Sequence, residues 1–209
     1  SERLLKKIEP NSFAQKPLRA ILRNGRSLHY FVNELLVLDA IEATPLELKS
    51  ANVYELASAI VAGNQALARK YDIDLLLDEG EACSFVTVAT DVARLSQAFE
   101  NIILFCIRQS NRGVIRIKLR ADDEWLHLGF FDNAPAMSDS DCETLFETHY
   151  EFVLSNEKDL PCSALSLKIA AIIIDHHGGR IGAHSNVGSG GGDGIPHGNI
   201  IEVCLPLCD

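Results

Sequence analysis

The chain has 209 residues, of which 47% are hydrophobic, and this is sufficient for one sizeable core with a smaller appendage. Its formal net charge of −10 argues against a nucleic-acid-binding surface, because contacts to phosphates need a face rich in Lys and Arg. No apolar run is long enough to span a bilayer and no signal peptide opens the sequence, so we expect a cytoplasmic protein or fragment without direct membrane insertion.

The six cysteines indicate reduced thiols, because they are scattered and none lies in a Cys-x-x-Cys pair. The histidines form no grouping with metal-ligand spacing, so no metal site is predicted. A metal or redox role for Cys204 and Cys208 stays open, although a thiol that acts as a small hydrophobe is the simpler interpretation.

The first predicted element is a long amphipathic helix over residues 18–41, where apolar residues recur every three to four positions. Pro45 breaks this pattern, and residues 42–50 are the best linker candidate. We therefore expect a partial dimerisation or phosphotransfer-like helical segment in residues 1–48 and a separate domain in residues 49–209.

The second segment mixes helices with short strands. Ser50 or Asn52 is expected to cap a helix over 53–71, and strands are expected at 72–77 and 84–88 on either side of a turn. A helix over 91–109 precedes a hairpin of two alternating runs, with its turn at 121–123. The later predictions are an irregular region at 137–160, a helix at 164–177 ended by two glycines, and strands at 180–184 and 199–205 around a glycine-rich loop. This order predicts the α+β class.

Several of these stretches together resemble the C-terminal region of sensor histidine kinases. SLHYFVNELLVLDAIEATPLEL is similar to the second helix of their dimerisation domain, and the remaining chain to their Bergerat-fold (GHKL) ATP-binding domain. The stretch LSQAFENIILFCIRQS lies where that family has its asparagine-bearing helix, and FFDNAPAM lies where the family has the motif Asp-x-Gly-x-Gly. The stretch CSALSLKIAAIIIDHHGG lies where the family has a glycine-rich loop that leads through a helix to His-Gly-Gly. The resemblance implies a two-layer α/β sandwich preceded by a dimerisation-type helix.

Three residues carry over from the family's nucleotide site. Asp132 matches the aspartate that accepts a hydrogen bond from the adenine amino group. Asn101 matches the first asparagine of the asparagine-bearing helix, and Arg108 matches a lysine that contacts phosphate. Each also has a structural alternative: Asp132 as a relic that caps a turn, Asn101 as a bond to a neighbouring loop, and Arg108 as a solvated surface arginine. The loop GSGGGDGIPHG is more simply a flexible hairpin than a phosphate cradle.

Other positions depart from the family's pattern. The asparagine that holds Mg²⁺ in the family corresponds to Phe105, whose ring cannot coordinate a hard cation that prefers oxygen ligands. Glycines of the two phosphate loops are replaced, and a side chain there obstructs the close approach of backbone N–H groups to phosphate. The substituted loop positions are Ala134, Ala136, Cys162, Ala164 and Ser166.

The resemblance also lacks a phosphoacceptor, because nothing before residue 18 matches the family's histidine box. His29 is the only histidine on the first helix, and it falls where the family has an ordinary side chain. The apolar stripe of the same helix is expected to form a dimer interface through Leu28, Phe31, Val32 and Leu35.

The leading hypothesis is a degenerate kinase module that acts by protein–protein interaction in two-component signalling. It has no catalytic or metal-ligating residue and no cofactor, unless ATP or ADP binds without Mg²⁺. Its expected partners are a response regulator or a partner histidine kinase, and it is expected to be a homodimer. Two alternatives remain: an active ATP-binding kinase whose acceptor histidine lies outside this chain, and a phosphotransfer protein that uses an exposed His29.

Overall fold

The amphipathic segment forms one helix, α1, Gln15–Ala43, as predicted. The computed structural model describes residues 15–78, 86–147, 158, 160, 165–186 and 198–207. Near its end α1 joins the core, because Ile41 is buried and Val37 and Leu38 pack against the buried cluster. Its earlier turns present large apolar side chains to solvent, so the stripe on α1 is only partly covered within this chain.

The chain then enters a small two-stranded sheet that the sequence did not predict. Strand β1, Lys49–Asn52, pairs antiparallel with β3, Thr87–Thr90. The last residues of the expected linker therefore belong to a strand. Helix α2, Val53–Arg69, follows directly, and the Asn52 side chain caps it by accepting a hydrogen bond from the Glu55 N–H at 3.1 Å.

A five-stranded mixed sheet is formed by the remaining described strands. These are β2 (Ile73–Asp78), β4 (Gly113–Ala121), β5 (Trp125–Phe131), β6 (Arg180–Asn186) and β7 (Gly198–Pro206), in the order β2-β4-β5-β7-β6. The predicted hairpin is confirmed as the antiparallel pair β4–β5. The β2–β4 pair is parallel, and helix α3, Val92–Gln109, lies in its crossover. The two strands expected on either side of a turn, β2 and β3, belong to different sheets.

Helices cover one face of the large sheet. Helix α2 packs on β2, α3 on β5, and α5, Ser166–His176, on α3 and β6. Inward side chains alternate along β4 and β5, and Phe130 meets Phe99 of α3 with ring centroids 5.7 Å apart. The α+β class and the two-layer arrangement are thus confirmed. None of the described helices has the length and apolarity needed to cross a bilayer.

A short helix interrupts the region expected to be irregular. Helix α4, Asp139–Thr144, begins with a capping box. The Asp141 N–H donates to the Ser138 hydroxyl oxygen, and the Ser138 N–H donates to the Asp141 carboxylate. The apolar pattern is too short to predict this helix, but the Ser-x-x-Asp spacing carries the signal. Residues 148–157 of the same region lie outside the described residues.

The end of α5 is tied to the start of α3 by a buried histidine. The His177 Nδ1 lies 2.7 Å from the Ile173 carbonyl oxygen, and Nε2 accepts a hydrogen bond from the Asp91 N–H at 3.0 Å. Nδ1 is therefore the protonated nitrogen of a neutral ring. Gly178 follows with a φ of +70°, the left-handed conformation that ends many helices.

Replacing His177 by alanine is expected to lower the free energy of unfolding by about 2 kcal/mol, because the part-buried Asp91 N–H loses its partner. Urea unfolding followed by circular dichroism measures the change. The neighbouring His176 is exposed, so His176→Ala is the matched control and should change stability by less than about 0.5 kcal/mol. Equal losses for both variants would contradict this role of His177.

Candidate functional site

The candidate site centres on Asp132, which directly follows strand β5. Its side chain is 1% exposed. The Oδ1 atom accepts hydrogen bonds from the Ala134 N–H at 3.0 Å, the Asn199 N–H at 3.0 Å and the Asn199 side-chain amide at 3.2 Å. Among the described residues no donor contacts Oδ2, so Oδ2 is the oxygen that can accept from a ligand.

Asn199, at the start of β7, is the main site residue that sequence reasoning missed. It is 2% exposed, and its side chain donates to Asp132 and to the Pro135 carbonyl oxygen, while its Oδ1 accepts from the Met137 N–H at 2.8 Å. The Ser185 hydroxyl donates to the Met137 carbonyl oxygen at 2.9 Å and also lies 3.3 Å from the Asn199 Oδ1. The only sequence signal was a polar residue at the start of a mostly apolar strand.

The Asn199 network fixes the backbone of the loop that carries the substituted glycine positions. Both Pro135 and Met137 are held through their main-chain atoms. Ala134 is buried and Ala136 is exposed. A backbone held at both ends of this loop, with methyl groups where the family has glycines, leaves less freedom to wrap a phosphate.

Burial raises the pKa of the Asp132 carboxyl above its ordinary value, although the hydrogen bonds from Ala134 and Asn199 partly oppose this. Because the folded-state pKa is raised, the charged form costs stability at neutral pH. That cost is relieved as the pH falls through the raised pKa towards 3.8. The fold therefore tolerates a charge here that does not benefit its stability.

Asp132→Asn is expected to raise the free energy of unfolding at pH 7 by about 1 kcal/mol, since an amide oxygen can accept the same three hydrogen bonds without a buried charge. The gain should shrink as the pH is lowered, because the wild-type carboxyl becomes neutral. Urea unfolding of both proteins across this range measures it. A loss of stability that is independent of pH would contradict the raised pKa.

Helix α3 supplies the three other positions that sequence reasoning singled out. The Asn101 side-chain amide donates to the Ser166 carbonyl oxygen at 2.9 Å, which joins α3 to the start of α5. Phe105 is 6% exposed, so its ring belongs to the core. These contacts locate the side chains of Asn101 and Phe105. The roles of the two residues in nucleotide binding stay predictions.

The expectation that Arg108 is a solvated surface arginine is wrong. Its exposure is 9%, and it interacts with neighbouring groups. Residues 102–108 are all buried, because the last turns of α3 are covered on every side. Lys158 closes this end of the helix by donating from Nζ to the Ile107 carbonyl oxygen at 2.5 Å and to the Ser110 carbonyl oxygen.

The second substituted loop is described only at its last position, Ser166, because Cys162 and Ala164 lie outside the described residues. Ser166 is the first residue of α5 and is 1% exposed. Its hydroxyl donates to the Glu34 carboxylate of α1. A carboxylate is electrostatically favourable near a helix N-terminus, which is also the place where an active relative would need room for phosphate.

The remaining predicted residues lie on α1 or outside the described chain. His29 is exposed, and its Nε2 lies 3.2 Å from the Asn33 side-chain amide nitrogen. Gly198 opens β7, and the rest of the predicted glycine-rich loop lies outside the described residues. Among the described residues, no cluster of His, Cys, Asp and Glu side chains is arranged to hold a metal ion.

Comparison with known proteins gives consistent matches. The family model described as histidine kinase-, DNA gyrase B-, and HSP90-like ATPase matches residues 90–208. The signal transduction histidine-protein kinase BaeS of Escherichia coli K12 is 35% identical over 124 residues, which cover 58% of this chain and 25% of BaeS. Three further relatives are likewise covered over less than half of their length.

Solved structures show the same fold. Full-length ShkA, in complex with AMPPNP, superposes with a TM-score of 0.71 at 18% identity, over 99% of this chain and 41% of ShkA. The histidine kinase ThkA, in complex with the response regulator protein TrrA, gives a TM-score of 0.71 at 20% identity over 99% of this chain and 55% of that one.

Proposed function

Because the chain belongs to the family of histidine kinase-, DNA gyrase B- and HSP90-like ATPases, we propose that it is a degenerate histidine-kinase module. It acts in two-component signalling by binding other proteins, and it performs little or no Mg-ATP-dependent phosphoryl transfer.

Phe105 is the observation that carries the proposal. Phosphoryl transfer depends on positioning and on metal neutralisation of the developing charge. A buried phenyl ring offers no oxygen ligand where an active relative places a metal-binding amide, and its burial in the core stabilises the fold instead. The alanines at 134 and 136 and the Ser166–Glu34 contact weaken phosphate binding in the same direction.

Adenine recognition is the part of the site that is preserved. The Oδ2 atom of Asp132 is oriented by three donors on Oδ1 and meets no donor of its own among the described residues. It suits the adenine amino group, so the module binds ATP or ADP weakly and without need of Mg²⁺. Such binding would hold the loop after β5 in one conformation without leading to chemistry.

The absence of turnover is tested by phosphate release from ATP in the presence of Mg²⁺, over several hours at high protein concentration. The rate of phosphate release measured with Asp132→Ala gives the background, because this substitution removes the acceptor for the adenine amino group. The proposal predicts equal rates for the two proteins. Turnover in the wild type that Asp132→Ala removes would overturn the proposal and favour an active kinase whose acceptor histidine lies elsewhere.

The exposed stripe of α1 is proposed to pair with a second copy of the chain. Leu28, Phe31, Val32 and Leu35 are 63%, 38%, 46% and 47% exposed, and Ile21 and Leu36 extend the same apolar surface. Patches of this kind on a helix mark interaction sites, and the long helices of bundles bury them against each other.

Leu28→Glu combined with Leu35→Glu is expected to convert a dimer into a monomer, because two carboxylates per chain would face each other across the seam. Sedimentation velocity at micromolar concentration measures the change. Leu48 is 53% exposed and lies beyond α1, so Leu48→Glu is the matched control and should leave the dimer intact. A wild-type monomer would refute this seam.

A response regulator is the second proposed partner. ThkA, which shares this fold, is seen in complex with the response regulator protein TrrA. The chain offers the same kinds of element, a long helix followed by the ATPase-type domain, so a receiver-type partner can contact both at once. His29 is exposed on α1, and its contacts with the Asn33 amide and the Tyr30 ring are those of an ordinary surface histidine.

A further inference from the structure

Two arginines, a histidine and a cysteine form a row across the face of the large sheet that the described helices leave uncovered. Strand register places Arg120 beside His127, His127 beside Cys204, and Cys204 beside Arg180. Both arginines are exposed, whereas the histidine and the cysteine are half-buried. The guanidinium of Arg180 lies over the Trp125 ring at 5.0 Å, which holds it at this face.

Within the row, Cys204 and His127 form a chain of contacts with Asp122. The Cys204 Sγ lies 3.2 Å from the His127 Nδ1, and the His127 Nε2 lies 2.8 Å from the Asp122 Oδ2. The other Asp122 oxygen accepts from the N–H groups of Glu124 and Trp125, so the carboxylate is fixed by its own turn. A nucleophile is thus in hydrogen-bond reach of a base, and the base in reach of a group that orients it.

The charges around this cluster keep Asp122 ionised and Cys204 protonated at rest. The hydrogen bond from His127 lowers the pKa of Asp122 to about 2, so Asp122 is ionised beside the ring. Burial raises the pKa of the Cys204 thiol, and Glu202 and Asp122 add to this against the opposing effect of Arg180 and Arg120. The resting sulfur is therefore a thiol, and a thiolate forms when His127 takes its proton while Asp122 stabilises the imidazolium.

We propose that Cys204 is a modification site that undergoes thiol–disulfide exchange with small disulfides bearing carboxylates, which Arg120 and Arg180 bind. The Cys204 thiolate attacks one sulfur of the disulfide, a new S–S bond forms and the old one breaks. The departing thiolate takes the proton that His127 received, so one thiol and one disulfide yield one mixed disulfide and one thiol. This site lies about five strand residues, or roughly 16 Å, from Asn199, and does not depend on nucleotide binding.

The test incubates the whole protein with oxidised glutathione at neutral pH and follows each cysteine by peptide mass mapping. Cys142 is an internal comparison, because it is also a free thiol whose pKa burial raises. Cys204 is expected to react at least about tenfold faster than Cys142, and His127→Gln is expected to remove at least about tenfold of that rate. Asp122→Asn, which keeps an acceptor for the turn, should slow Cys204 less than His127→Gln does.

Two controls separate chemistry from exposure. Thermal melting of His127→Gln and Asp122→Asn establishes that both variants remain folded, and reaction with iodoacetamide under denaturing conditions establishes that the thiols are intact. Cystamine, a cationic disulfide, should react more slowly than oxidised glutathione, and Arg120→Ala with Arg180→Ala should remove the difference. Equal rates at Cys204 in the wild type and His127→Gln, or a Cys204 no faster than Cys142, would overturn the proposal.

Discussion

Gly198→Ala is expected to lower the free energy of unfolding by about 3 kcal/mol, because the residue has no space for a methyl group. A Cβ atom built there would lie 2.2 Å from the Asp132 carbonyl oxygen and 2.8 Å from both the Asp132 carbonyl carbon and Oδ1. The two nearest atoms belong to the backbone, which cannot move without disturbing the pairing of β5 with β7. The same shift would displace Asp132 and remove any remaining nucleotide binding.

Gly182→Ala is the matched control, since Gly182 lies on the neighbouring strand β6 and a Cβ there would meet nothing within 4 Å. We expect this variant to be unchanged or up to about 1 kcal/mol more stable, because glycine in a strand interior costs conformational entropy. Urea unfolding of both variants gives the comparison. If Gly198→Ala were as stable as Gly182→Ala, the described approach of β7 to Asp132 would be wrong.

Asn199→Leu is expected to cost about 3 to 5 kcal/mol, because several buried or half-buried polar groups lose their side-chain partner at once. The leucine removes the amide donor to Asp132, and it also leaves the Pro135 carbonyl oxygen and the Met137 N–H without their side-chain partner. Each unsatisfied buried group adds a desolvation penalty of about 1–3 kcal/mol. The loop after β5 should therefore loosen together with the global loss of stability.

Urea unfolding measures the global loss, and amide hydrogen exchange at Met137 reports the loosening of the loop. The same substitution at the exposed Asn24, on α1, should change stability by less than about 0.5 kcal/mol. A stable Asn199→Leu protein with unchanged exchange at Met137 would show that the network does not hold the loop.

The sequence predicts the long periodic elements of this fold well. The three-to-four spacing in α1 and the alternation in β4 and β5 are strong signals, because one face of each element is apolar. Strand β1 is not predicted, because its sequence KSAN has no alternation of apolar and polar residues. The strand is stabilised by pairing with β3 rather than by burial. The pairing of β2 with β4 is not predicted either, because two parallel strands joined through a helix have no local turn signal between them.

The site was predictable where it matches a family pattern and not where it depends on tertiary contacts. The position of Asp132 followed from the resemblance, but its partner Asn199 is 67 residues away, and no local pattern links the two. Arg108 looked like a surface residue by type, and only the packing around the end of α3 buries it. The Ser166–Glu34 contact joins two segments 132 residues apart, and no local sequence pattern predicts it.

The central claim is that this ATPase-type domain has lost Mg-ATP chemistry, and calorimetric titration with ATP and ADP, with and without Mg²⁺, tests it most directly. Asp132→Asn is titrated in parallel, because its amide would present a donor where adenine needs an acceptor. We predict weak binding that Mg²⁺ does not strengthen and that Asp132→Asn removes. Tight binding that requires Mg²⁺ and is abolished by Asp132→Asn would contradict the account and identify an active nucleotide site.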